Sequence, residues 1–150
     1  MHEGAIELIA RGVLIGTHGI LLCRSAGKDN TFLPGGHVLF GESATTALIR
    51  ELKEEIGTKV EVGDFLGAME YKYDEDGVKH HKVTLVFLLN GPAVERCPRI
   101  PSLEKDLEFL WYPINALADV NLLPKELRQL IPQWTRGKVI PWSSDPREWL

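Results

Sequence analysis

Cysteine is scarce in this chain: Cys23 and Cys97 stand far apart in 150 residues. Neither belongs to a close pair of the kind that marks a zinc site or a redox motif. No disulfide framework is expected, and Cys23, set in an apolar run, reads as a small buried residue. Positive charge is also in short supply. Seventeen basic against 21 acidic side chains leave a formal charge of -4. No basic cluster offsets that deficit, so stable binding to duplex nucleic acid is not expected. Long apolar runs are missing as well: nothing approaches the roughly 18 residues of a spanning helix, and no membrane partner is expected. Glu3, Glu7 and Arg11 interrupt the early apolar stretches, and no small-residue cleavage site follows the secretory pattern, so cytoplasmic residence is the expectation. Internal repeats, low-complexity tracts and a linker sharp enough to split the chain are absent too.

What is present is the composition of an ordinary globular domain, 44% hydrophobic and 25% charged with 14 Gly and 9 Pro. A chain of this length buries roughly 68–70% of its unfolded surface, so residues 1–150 are read as one domain. Ala5 to Gly16 and Ile20 to Arg24 are rich in Ile, Val and Leu around the turn Thr17-His18-Gly19, which predicts a strand pair. Lys59 to Tyr73 and His81 to Leu89 predict a second hairpin across Asp74-Glu75-Asp76-Gly77. Leu107 to Tyr112 reads as a short strand after a proline-bearing surface loop at 91–102. Ser43 to Ile56 is the clearest helix, with Ser43 as N-cap and Gly57 as stop. A last helix is predicted from Leu123 to Trp134, with Pro124 in its first turn. This mixed order predicts an α/β or α+β layered domain.

The early helix carries an anomaly. On a wheel of about 100° per residue, Ala44, Ala47 and Leu48 form an apolar side that Leu52 and Ile56 widen. Glu51, Glu54 and Glu55 fall in an arc overlapping that side, near the helix C-terminus where the dipole disfavours negative charge. Two readings stand open. Arg50, Lys53 and Lys59 can balance an exposed acidic turn. Alternatively a divalent cation compensates the acids, since hard cations take oxygen clusters and magnesium shares itself with substrate phosphates. The loop ending in Gly35-Gly36 just before the helix, where backbone can approach closely, favours the second.

Gly36, then Glu42, then Arg50-Glu51-Leu52-Lys53-Glu54-Glu55-Ile56-Gly57 resembles the box of the Nudix hydrolases, the MutT-like family, over residues 36–58. One departure is Thr58, where the family usually has an aliphatic residue. The resemblance implies an α/β/α sandwich with a mixed β-sheet, and hydrolysis of a pyrophosphate bond with Mg2+ or Mn2+. The substrate implied is a nucleoside di- or triphosphate, or a nucleoside diphosphate linked to another moiety. Carried over, Glu51, Glu54 and Glu55 look like metal ligands, with the carbonyl of Gly36 as a further contact. Arg50 looks like the residue that orients Glu51, and Glu42 like a supporting residue. Glu51 is the first candidate for the base and Glu55 the next, with Glu104 as a possible loop acid. A competing reading keeps the fold as a nucleotide-sensing regulatory domain without turnover.

Outside the box, His80 and His81 open a strand and suit either phosphate contact or a surface pair. Phe32, Tyr71 and Tyr73 suit base stacking or hydrophobic packing, and packing is favoured. Tyr73 lies where the resemblance places a mark of dinucleoside polyphosphate hydrolases, and the proline associated with ADP-sugar members is lacking there. The tail 136–150, with Trp142 and Trp149, is expected to pack on its own domain, the alternative being a partner subunit in a homodimer.

Overall fold

The computed structural model describes residues 4–148; Trp149 and Glu3 lie outside the described residues. Strand β1 (Ile6–Gly16) turns back through Thr17 and His18 into β2 (Gly19–Ser25), and a loop leads to the three residues of β3 (Gly35–His37). Helix α1 (Ala44–Ile56) follows, then the long hairpin β4 (Glu61–Glu75) and β5 (Val78–Asn90), and β6 (Leu107–Tyr112). A 3-10 segment (Ile114–Val120), helix α2 (Leu127–Thr135) and the short β7 (Trp142–Ser144) complete the chain.

The strands form a mixed seven-stranded sheet in the order β6-β2-β1-β5-β4-β7, with β3 also paired to β1. One edge of β1 is shared: its N-terminal half pairs with β3 through Ile9, Ala10 and Arg11, and its C-terminal end pairs with β2. Its other edge runs parallel to β5. Alternation along the strands then divides the core. Leu21 joins Ala10, Leu14, Leu48, Leu52 and Ile56 on the α1 side, whereas Ile20 and Leu22 join Val13, Leu127, Leu130 and Trp134 on the α2 side. This is the α/β/α layering that the resemblance implies.

Helix α1 is bounded as its sequence predicts. The Ser43 hydroxyl accepts from Thr46 N at 3.1 Å, and Gly57, at φ 71°, closes the helix by donating its N–H to Lys53 O. Its buried residues are Ala47, Leu48, Leu52 and Ile56. The β4–β5 hairpin is longer and tighter than its sequence suggests, because Asp76 and Gly77 both take positive φ (53° and 79°) and close a two-residue turn.

The predicted helix from Leu123 is corrected: α2 begins at Leu127. Leu122 and Leu123 bond to Thr31 instead, Leu122 as a β-bridge and Leu123 N donating to Thr31 O at 3.0 Å, while Pro124 precedes the helix rather than opening it. The 3-10 segment buries Leu117 and Val120, which no helical period announces. The tail packs by backbone rather than by indole. Trp142 pairs with Ala68 in parallel register yet stays 52% exposed, and Asp145 N donates to Glu70 O. No helix among the described residues is long and apolar enough to cross a membrane.

Candidate active site

Gly36 sits on β3 opposite Ala10, where its neighbour from α1 is the Glu51 carboxylate. A β-carbon at Gly36 would meet the Glu51 carboxylate oxygens at 2.7 and 2.8 Å, so the absence of a side chain is what lets the helix acid rest against the strand. Register, cap and apolar stripe jointly set this approach: Leu48 and Leu52 anchor α1 on the sheet, and Glu51 comes between them on the side of β3.

Arg50 ties the acids together. Its Nε donates to Glu42 Oε2 at 2.8 Å and its Nη2 to Glu42 Oε1 at 3.0 Å, a two-pronged pairing. Its Nη1 donates to Glu51 Oε1 at 3.0 Å and stands 3.5 Å from both Glu54 oxygens, and Nη2 also reaches His37 O at 3.2 Å. Glu42 accepts from Leu39 N as well. The guanidinium and that backbone N–H hold the Glu42 carboxyl below the usual carboxylate range, and Glu42, then Glu51, raise the guanidinium's own pKa.

Glu55 differs from its neighbours. It is half-buried, its Oε2 is shut away from solvent without a hydrogen-bond partner, and its pKa is pushed up to about 8. Burial is the main cause and the charge of Glu51 the next, opposed by Arg11. Glu54 is 51% exposed and, among the described residues, is held only by the long contacts to Arg50. Glu104 is exposed in a loop whose Leu103 N donates to Glu55 O at 2.7 Å, and its charge adds slightly to the strain on Glu55.

The structure therefore brings Gly36, Arg50, Glu51 and Glu42 into contact and sets Glu55 against Glu51, with Glu54 on the rim. Among the described residues, no three His, Cys, Asp or Glu side chains are gathered tightly enough to hold a metal ion. Like charges one turn apart repel, and Arg50 satisfies part of the set. The donor chemistry nonetheless suits a hard divalent cation: Glu51 oxygens beside a bare backbone at Gly36, and an orphaned Glu55 oxygen.

The two histidines separate. His80 stacks on Tyr73 at 4.7 Å between ring centroids and places Nδ1 3.5 Å from Glu7 Oε2, whereas His81 leaves Nε2 buried without a partner. Tyr73 in turn stacks on Tyr71 at 6.2 Å, so both tyrosines pack with neighbouring rings. Phe32 packs under the Arg11 guanidinium. Three residues to which the sequence assigned no functional role, Glu7, Arg11 and His37, also stand near the box. Glu7 bonds His37 Nε2 at 2.7 Å, and Arg11 acts electrostatically on Glu55. The one available signal was a lone arginine inside the apolar run from Ile9 to Leu14.

The family model for the NUDIX domain matches residues 7–134. An ADP-ribose pyrophosphatase of Methanocaldococcus jannaschii is 34% identical over 135 residues, which are 85% of this chain and 72% of that protein. An isopentenyl-diphosphate Delta-isomerase of Cereibacter sphaeroides is 31% identical over 114 residues, 71% of this chain and 62% of that protein. With a relative from Mycobacterium tuberculosis the match is 34% over 88 residues, and the chain spans only 33% of that protein's length. The fold is similar to the crystal structure of a MutT protein from Methanosarcina mazei Go1, with a TM-score of 0.65 at 18% identity, covering 91% of this chain and 98% of that one. By its box, its layered sheet and the extent of the family match, the chain belongs to the NUDIX family.

Proposed function

We propose that this chain is a divalent-metal-dependent pyrophosphohydrolase. It would cleave a phosphoric anhydride in a nucleoside di- or triphosphate, or in a nucleoside diphosphate linked to another moiety. The observation that carries the reading is the Glu51–Gly36 approach, fixed by Arg50, with the unpartnered Glu55 oxygen one turn away. The similarity to an ADP-ribose pyrophosphatase over most of both chains supports it and makes ADP-ribose the first substrate to try. The free Cys23 and Cys97 suit a reducing compartment such as the cytoplasm.

In this reading Gly36 O, Glu51, Glu54 and Glu55 would hold Mg2+ or Mn2+, which when bound would acidify a water and offset negative charge on phosphate oxygens. Arg50 keeps Glu51 in one orientation and prevents it from swinging onto solvent. Glu51 is then placed to orient or deprotonate the attacking water. Glu55 would be the second candidate for that base. Glu104 stands close enough to Glu55 to modulate it, without a contact that gives it a catalytic role.

The experiment is a substrate panel in 18O-labelled water with Mg2+ or Mn2+, containing ADP-ribose, nucleoside triphosphates and isopentenyl diphosphate. Label in a phosphate product, together with severe loss of turnover in folded Glu54→Gln and Glu55→Gln, is expected. Wild-type rates in both variants would sink the metal-site assignment. Ligand binding without turnover would favour the sensing domain instead, and isomerised isopentenyl diphosphate an isomerase.

A further inference from the structure

Two arginines act on the carboxylates of α1, and they are used in opposite ways. Arg50 spends its guanidinium inside the protein, with Nε, Nη1 and Nη2 all donating to Glu42, Glu51 or the His37 carbonyl. Arg11 does not. It projects from β1 at the position paired with Gly35. Its Nη1 donates to Leu33 O at 3.1 Å, and its guanidinium carbon stands 5.3 Å from the centre of the Phe32 ring. Among the described residues it forms no ion pair with any carboxylate, and one of its five N–H donors is used.

Its place in the strand sets it beside the site. Arg11 pairs with Gly35, next to the Ala10–Gly36 pair, and the Glu51 carboxylate lies against Gly36. The side chain is only partly exposed. A cation withdrawn from water without a counter-ion is costly, and an aromatic face with one carbonyl orients a guanidinium without neutralising it. The complement that such a planar fork lacks is an anion offering two oxygens, which is the geometry of a phosphate.

We propose that Arg11 is a phosphate-binding residue, gripping oxygens of the substrate's diphosphate from the β1 side while the carboxylates of α1 act from the other. The proposal deepens, and rests on, the pyrophosphohydrolase reading. Arg11 forms and breaks no covalent bond in this role. Phe32 and the Leu33 carbonyl preset the fork, so less ordering is needed when the anion arrives. The competing role is structural: Arg11 pins the Phe32–Leu33 loop and nothing more.

The test is calorimetric binding of inorganic pyrophosphate with saturating Mg2+, run beside titrations of Mg2+ alone and thermal unfolding. The proteins are wild type, Arg11→Gln, Arg11→Lys and the control Arg24→Gln, whose arginine pairs with Glu108 at 3.2 Å. Arg11→Gln should weaken pyrophosphate binding by about 10- to 100-fold and Arg11→Lys by less. Mg2+ affinity should not fall, and Arg24→Gln should match wild type. On whichever nucleotide the wild type hydrolyses, Arg11→Gln should raise KM. Unchanged pyrophosphate affinity in Arg11→Gln overturns the proposal. So does a parallel fall in Mg2+ affinity and unfolding temperature that Arg11→Lys fails to rescue, and so does a wild type that binds no pyrophosphate. A wild type that binds pyrophosphate through Arg11 yet hydrolyses nothing would sink the hydrolase reading and leave the phosphate contact standing.

Discussion

The Glu51 carboxylate occupies the space that a side chain on Gly36 would need, its carboxyl carbon lying 2.5 Å from where a β-carbon would be. A helix acid and a strand glycine, 15 positions apart, are thus one functional unit. Gly36→Ala should push Glu51 aside without disturbing the buried Leu48 and Leu52. Turnover should fall by about 10- to 100-fold, the scale of a 1 Å misplacement, with the fold intact by circular dichroism. Retained wild-type turnover would show that Glu51 need not touch β3.

Arg50→Gln removes the bond that joins Glu42 to Glu51. The ion pairs are partly exposed, so stability should fall by only about 1 kcal/mol in chemical unfolding. Activity should drop far more, by about 100-fold, and Arg50→Lys should restore little because an ammonium cannot hold both acids in the same fork. An Arg50→Lys enzyme as active as wild type would contradict this orienting role.

Glu55 makes the metal-free protein sensitive to alkali. Its folded pKa of about 8 lies above the ordinary carboxyl value, so the native state binds the proton more tightly than the unfolded chain. Stability from this source is fully present below pH 4.5 and is lost as pH rises to about 8. With chelator present, wild type should unfold at a lower temperature at pH 8 than at pH 5. Glu55→Gln, with no charge to bury, should lack this component and gain on the order of 1 kcal/mol at pH 8. Parallel pH profiles for the two proteins would show that Glu55 is not the group responsible.

Asp145 behaves in the opposite sense. Hydrogen bonds from Arg147 hold its carboxyl well below the usual range, and Lys72 N also donates to it. Arg147 Nη2 donates in turn to Lys72 O, so this acid fastens the tail to β4. Its contribution is present above the unfolded pKa of 3.8 and is lost as pH falls through the depressed folded value. Asp145→Asn should lower the unfolding temperature at pH 7, with the difference from wild type shrinking in strong acid. It should also speed amide exchange in β7. Unaltered exchange at Ser143 and Ser144 would mean that the strand pairing alone fastens the tail.

Much of this protein was legible from local pattern. Ser43, Gly57 and the apolar stripe of α1 act through residues within a few positions of one another, so the helix and its bounds could be read directly. The spacing of Gly36, Glu42, Arg50 and the three glutamates pointed to the residues to watch through its resemblance to the Nudix box. The start of α2 escaped because Leu122 and Leu123 bond to Thr31, a partner about 90 positions away. Local propensity cannot register such a partner.

Charge state and exposure were decided only by the tertiary structure. Glu51, Glu54 and Glu55 are the same residue type on one helix, yet one is clamped by Arg50, one stands half in solvent and one is half-buried beside Glu51. Desolvation and Coulomb forces depend on what surrounds a carboxylate in space, and sequence order carries little of that. For the same reason Arg11 reads in the sequence only as a break in an apolar stretch, until folding sets it beside Phe32 and within electrostatic reach of Glu55.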